Sequence, residues 1–162
     1  MQEIPKPWFD LEGYKRTRLE EAELEAKLAE EFLEEGLLRN AAGKAFQAWK
    51  ALLGALLADK REELMKRYKG KKRLRGKREV ELADWLIAIV PTSYMEELSL
   101  ILGKEANLVT KLALAVHEYQ YNGPDRDLVV SPFRSDEVAR ENVKLLIEEV
   151  RRKLNELKGG KS

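Results

Sequence analysis

Cysteine is absent from the chain, and histidine occurs once, at His117. The first absence excludes a disulfide scaffold, a thiolate zinc site, an iron–sulfur cluster and a cysteine nucleophile. The second excludes an HExxH metalloenzyme and leaves a Ser or Thr with His117 as its base as the one route to a serine-protease-like triad. Long apolar runs are missing too: Ala51–Ala58 and Leu86–Val90 are far short of a membrane span. Met1–Pro7 shows no basic segment followed by an apolar stretch, so no secretory signal is visible, and the chain reads as cytoplasmic with no membrane partner. Glycines match neither the dinucleotide nor the mononucleotide phosphate loop. No cofactor is expected. An excess of one charge is the last absence: 30 basic residues face 29 acidic ones, for a net charge of +1. That balance argues against a uniformly basic or acidic protein but says nothing of local patches.

What is present is charge and helical period. Charged residues reach 36% of the chain against 44% apolar, where about 25% charged is ordinary for a globular domain. Many Glu, Lys and Arg with few Gln also follow the trend of thermophile proteins. Thr17 with Glu20 reads as a capping box, followed by a stripe at Leu19, Ala22, Ala26, Ala29, Leu33 and Leu37. A second helix, with Asn40 as cap, carries Ala42, Ala45, Phe46, Trp49, Leu52, Leu53 and Leu56 on so much of its circumference that it is expected at the centre. The short connection makes the two an antiparallel hairpin. This helix is expected to continue to about Tyr68, before a basic loop. A third helix runs from about Glu79 to Val90 and is stopped by Pro91, and Ser93 with Glu96 caps a short fourth. Leu108, Leu112, Ala115, Val116 and Tyr119 mark a fifth. Asn122-Gly123-Pro124-Asp125 is a turn signal. Ser135 caps a long last helix with Val138, Val143, Leu146, Ile147, Val150, Leu154 and Leu157 inward. Period-two alternation is confined to Asp127–Val130 at most. The expected fold is all-α, a single-domain bundle of five or six helices over residues 16–157. An N-terminal extension (1–15) precedes it and a frayed tail (158–162) follows.

Two stretches carry candidate chemistry. Between residues 60 and 78 the chain holds eleven Lys or Arg against Glu62 and Glu63. Lys66, Arg67, Lys69, Lys71, Lys72, Arg73, Arg75, Lys77 and Arg78 are the candidate nucleic-acid-binding residues, because convergent cations on phosphates bind by releasing counterions. Tyr68 offers a stacking face, and Gly70 and Gly76 let a loop follow a backbone. The competing reading is charge balance against the acidic first helix, through Glu20, Glu21, Glu23, Glu25, Glu30, Glu31, Glu34 and Glu35 of this subunit or a neighbour. The second stretch is His117–Gly123. His117 titrates near neutrality by type and is the candidate general acid or base. Tyr121 shares its helix face at i+4, and Tyr119, Asn122 and Asp125 are supporting candidates. The alternative is a His117 that bonds a backbone carbonyl and anchors the next loop. No metal site is expected: one His with Glu118 and Asp125, or Glu pairs at i, i+4 in a Glu-rich helix, make a weak ligand set.

The run Ala26-Lys-Leu-Ala-Glu-Glu-Phe-Leu-Glu-Glu-Gly-Leu-Leu-Arg-Asn-Ala-Ala-Gly-Lys-Ala-Phe-Gln-Ala-Trp-Lys-Ala-Leu-Leu53 resembles the opening helices of the HEPN superfamily (higher eukaryote and prokaryote nucleotide-binding), and especially its archaeal PaREP branch. Leu114–Gly123 before a capped last helix is similar to that branch as well. The resemblance implies a helical bundle that homodimerises and handles RNA or nucleotides. Its members include metal-independent ribonucleases, binding modules and partners of nucleotidyltransferases. Active members place an Arg four to six residues before the His; here that position falls on Lys111, with five residues between. Lys binds a phosphate as a point charge and not bidentately, so the reading leans to binding over catalysis. Three functions follow as expectations: a module that binds RNA or another polyanion through residues 66–78; a ribonuclease using His117 and Lys111; and a structural interaction module such as a toxin–antitoxin component.

Overall fold

A computed structural model describes residues 5–159. Helix α1 (Leu11–Glu34) starts where the Asp10 carboxylate accepts from the Gly13 amide at 2.9 Å. Thr17 and Glu20 therefore lie inside α1 rather than capping it: in a Glu-rich helix the Ser/Thr-x-x-Glu pattern arises by composition. The earlier start places Tyr14 in the core, at 1% exposure. Gly36, at φ +79°, ends the helix, and α2 (Leu38–Ala58) returns antiparallel to it. Asn40 sits within the first turn of α2 and Leu37 stands at its N-cap.

The expectation of a central second helix holds. Fourteen of the 21 residues of α2 are buried, and it packs against α1, α4, α5, α6 and α7. Gly54 permits a close approach of α1: a Cβ there would lie 2.7 Å from the Tyr14 hydroxyl. Trp49 is a core residue at 2% exposure, its indole N–H donating to Thr110 Oγ1 at 2.9 Å.

The expected run on to Tyr68 is broken. α2 stops at Ala58, the amides of Asp59 and Lys60 tighten onto Leu56 and Leu57, and α3 (Arg61–Arg67) is a separate helix. Residues 71–81 then form an antiparallel hairpin in place of the expected loop: β1 (Lys71–Arg73) pairs with β2 (Glu79–Glu81), register Lys71 to Glu81, Lys72 to Val80 and Arg73 to Glu79. The alternation was hidden because the inward position of β1 is itself a cation, Lys72. Strand β2 also delays the next helix, so that α4 (Leu82–Ile89) begins after Glu81 and not at Glu79. Val90, at φ +44°, turns the chain ahead of Pro91.

A single 3-10 turn over Thr92–Tyr94 leads into α5 (Met95–Leu102), which has no side-chain cap; Glu96 instead pairs with Lys111, so Ser93 and Glu96 make no capping box. α6 (Lys104–Asn122) follows after Gly103 alone. Residues 123–135 form an irregular connection with no strand at 127–130. The hydroxyl of Ser135 then accepts from the Val138 amide at 3.2 Å, at the start of α7 (Asp136–Gly159). Leu108 and Val138, expected inward, are exposed, while Val109 and Ala113 take the buried positions of α6. α7 lies against α1, α2 and α6.

The result is an all-α bundle of seven helices among the described residues, bearing one two-stranded hairpin. Residues 160–162 of the expected frayed tail lie outside the described residues. Among those described, no single helix is long and apolar enough to cross a membrane.

Candidate nucleic-acid interface

The basic hairpin is tied to the bundle at its base. Arg61 on α3 grips Asp84 on α4 with two bonds, Nε to Oδ1 at 2.6 Å and the second nitrogen to Oδ2 at 3.0 Å. Asp84 is 2% exposed, so its carboxylate depends on this bidentate partner. Tyr68 leaves α3 with its ring edge-on to Tyr94 and its hydroxyl donating to Glu97 at 2.7 Å. Burial, then the Glu97 carboxylate, pushes its pKa up to about 12. The base of the arm is tied twice, to α4 and to α5. At the tip, the Leu74 amide donates to the Arg78 carbonyl at 2.7 Å around Arg75-Gly76-Lys77. Gly76 (φ +78°) and Lys77 (φ +67°) both take left-handed backbone there, free of strain for the glycine.

Alternation sorts the hairpin's side chains. Lys72, Arg78 and Val80 point to the bundle: Val80 is buried, the Lys72 ammonium lies 4.4 Å from the centroid of the Trp85 ring, and the Arg78 guanidinium lies 4.8 Å from that of Phe9. On the other side Lys71 pairs with Glu81. Lys66, Arg67, Lys69, Arg73, Arg75 and Lys77 are exposed, and their side chains form no hydrogen bond or ion pair with any described residue. Nine cations thus divide into three with partners and six without.

The acidic helix does not answer them. Glu21 pairs with Arg18, Glu25 with Lys44, Glu30 with Arg151 and Glu23 with Lys158. These partners sit on α1, α2 and α7. Glu20, Glu31, Glu34 and Glu35 are exposed without an ion pair among the described residues. Within one chain, then, the balance between α1 and the basic segment that the sequence suggested is not formed.

The second candidate cluster divides. His117 stacks on Phe46 with ring centroids 4.0 Å apart and meets the exposed Tyr121 edge-on at 5.1 Å. Its Nδ1 is buried with no hydrogen-bond partner among the described residues, so it bonds no backbone carbonyl there. Burial first, with nearby Lys50 adding to it, holds its pKa below the ordinary 6.5, and the Gln120 side chain and Glu118 oppose the shift. Lys50 is itself lowered by burial and by Arg18. Lys111 pairs with Glu96 of α5, whereas His117 faces Phe46 of α2, so the two turn to different neighbours.

The supporting residues tie the loop that follows. Tyr119 donates to Asp136 Oδ1 at 2.7 Å, and its pKa is raised by burial and by that carboxylate. Asn122 donates to the Val130 carbonyl at 2.7 Å. Asp125 accepts from the amides of Asp127, Val129 and Val130, which hold its carboxyl below the usual range. Arg39 donates to the Gln120 and Tyr121 carbonyls at the end of α6. No group of three or more His, Asp or Glu able to hold a metal occurs among the described residues.

Sequence reasoning missed Phe9. An exposed aromatic next to Trp8 and ahead of the α1 cap carries no local signal; only the fold brings it under Arg78. It also missed Arg61 and Asp84, whose pairing across a helix break has no spacing rule.

No curated protein and no solved structure matches the chain. A family model does, over residues 17–146, from the first turns of α1 well into α7 and across the whole basic hairpin. On that match the chain belongs to the archaeal PaREP1/PaREP8 family.

Proposed function

We propose that the protein binds nucleic acid, with RNA the favoured form, through the phosphate backbone at the basic segment 66–78, from the end of α3 to the tip of the hairpin. One observation carries the reading: six cations along residues 66–78 have no acidic partner among the described residues, and two independent ties fix the base of that segment to the bundle. A backbone already fixed at its base saves the cost of ordering the segment on meeting phosphates, and each cation contact releases condensed counterions. Charge whose only purpose was solvation needs no such mounting. The resemblance to the HEPN superfamily agrees with this reading, and Lys111 in place of that superfamily's Arg leans it to binding over catalysis. Cleavage with His117 as acid or base has less support, since Lys111 and His117 face different neighbours and the His117 ring is stacked on Phe46.

The test is titration of a fluorescein-labelled RNA oligomer with wild type and with a Lys69, Arg73, Arg75 and Lys77 to Ala variant. The expected outcome is a loss of affinity of about 100-fold at low salt, with the melting temperature unchanged because all four side chains are exposed. Equal affinity for the two proteins contradicts the proposal. The same oligomer incubated in chelator and run on a denaturing gel separates binding from cleavage. Intact RNA is the expected result, and cleavage that His117→Ala abolishes favours the ribonuclease reading.

A further inference from the structure

We infer that Phe9 and Arg78 form a base-stacking step beside the basic hairpin, so that the site takes unpaired nucleotides in preference to duplex. The inference rests on the backbone-binding reading above and adds a requirement to it: the ligand must offer free base faces.

Phe9 is 69% exposed, an unusual position for a phenyl ring, which gains from burial roughly in proportion to the area hidden from water. It is not there through looseness. The Phe9 and Asp10 amides both donate to the Lys6 carbonyl, at 3.0 and 2.9 Å, and Asp10 caps α1 immediately afterwards. Trp8 braces the ring edge-on, with centroids 6.3 Å apart. The ring is therefore presented by a defined turn, and Arg78 reaches it from the hairpin at 4.8 Å.

A planar guanidinium against a phenyl ring is the arrangement that receives a nucleobase, either on the open part of the ring or on the outer face of the guanidinium. The location makes the stack useful. Arg78 lies at the end of the tip turn that carries Arg75 and Lys77, so a strand whose phosphates run along those cations passes its bases toward Phe9. In duplex the base faces are covered by neighbouring pairs, and only the phosphates remain to be bound. Lys72 over Trp85 repeats the cation–aromatic motif on the other strand, but Trp85 is largely covered there, and it serves to seat the hairpin.

The experiment compares three ligands of equal length with the full chain: single-stranded oligouridylate, blunt RNA duplex, and an abasic ribose-phosphate strand. Wild type is expected to bind the single strand about tenfold tighter than the abasic strand. Phe9→Ala should remove that difference and leave affinity for duplex and the slope against salt unchanged, while Phe9→Trp restores it. Because Phe9 is exposed, the Ala variant folds, which its melting temperature checks. Equal wild-type affinity for abasic and base-bearing strands overturns the inference, and so does a Phe9→Ala loss that is the same for duplex and single strand. Failure of wild type to bind any of the three overturns the backbone-binding reading itself, which distinguishes the two.

Discussion

Helix α1 is rich in acid and the basic segment 66–78 in base, yet the fold treats the two differently. Half of the named acids are engaged, Glu21 by Arg18 within α1 and the other three by Lys44, Arg151 and Lys158, which join α1 to α2 and α7. The basic segment 66–78, from the end of α3 into the hairpin, keeps six of its nine cations without partners among the described residues, and sets the others against Glu81, Trp85 and Phe9. Paired charge on a helix face is architecture. Unpaired charge on a braced arm is what the proposed binding role uses, since no ion pair among the described residues offsets its mutual repulsion. The near-zero net charge conceals this division, since it sums two populations that do not meet.

The comparison can be broken most forcefully at the brace. Asp84→Asn leaves Arg61 without its bidentate acceptor and should cost about 2–3 kcal/mol in urea unfolding, reduced from the fully buried case because Arg61 is partly exposed. A cost near zero removes the claim that this pair ties the arm to the bundle at its base. Next is Tyr14→Phe. The Tyr14 hydroxyl donates to the Ile87 carbonyl at the end of α4 and accepts from Arg18 Nε at 3.0 Å. Its loss strands a buried acceptor and should cost about 1–2 kcal/mol by the same measurement. The α1 pairs should matter less: Glu30→Gln, which frees Arg151, is expected to cost about 0.5 kcal/mol or less, since both partners are solvent-accessible. A loss as large as that at Asp84 would erase the distinction between brace and surface pair.

The smallest effect concerns pH. The folded chain holds His117 below its ordinary pKa of 6.5, so the unfolded chain takes up a proton first as pH falls. Stability is full above about pH 6.5 and declines as pH drops from there toward the folded value. His117→Phe should flatten the decline between pH 6.5 and 5, measured as the difference in unfolding midpoint from wild type. Identical profiles for the two proteins contradict the burial assigned to this ring.

Much of the bundle was legible because helical period is local. The buried stripes of α2 and α7, the Ser135 cap and the turn after Asn122 could all be read from spacing. What escaped depends on distant partners. The start of α1 is set by Asp10 and by a Tyr14 bond to a residue far along the chain. The hairpin lacks an apolar alternation because Lys72 serves as its inward side chain through Trp85. The basic character of the candidate interface was legible as composition, since like charges cluster in sequence. Which cations stay without partners was not, because pairing is decided in three dimensions. Phe9 belongs to the interface only through Arg78.

The most direct test of the division between paired and unpaired charge is the slope of log affinity for single-stranded RNA against log salt, taken for three proteins. Each phosphate contact on a single strand contributes about 0.7 to that slope. Replacing Lys69, Arg73, Arg75 and Lys77 by Ala should flatten it by about 3, while replacing the exposed Glu20, Glu31, Glu34 and Glu35 of α1 by Gln should leave it as in wild type. Equal slopes for wild type and the hairpin variant, or a flattening by the α1 variant as large as that by the hairpin variant, would contradict the account.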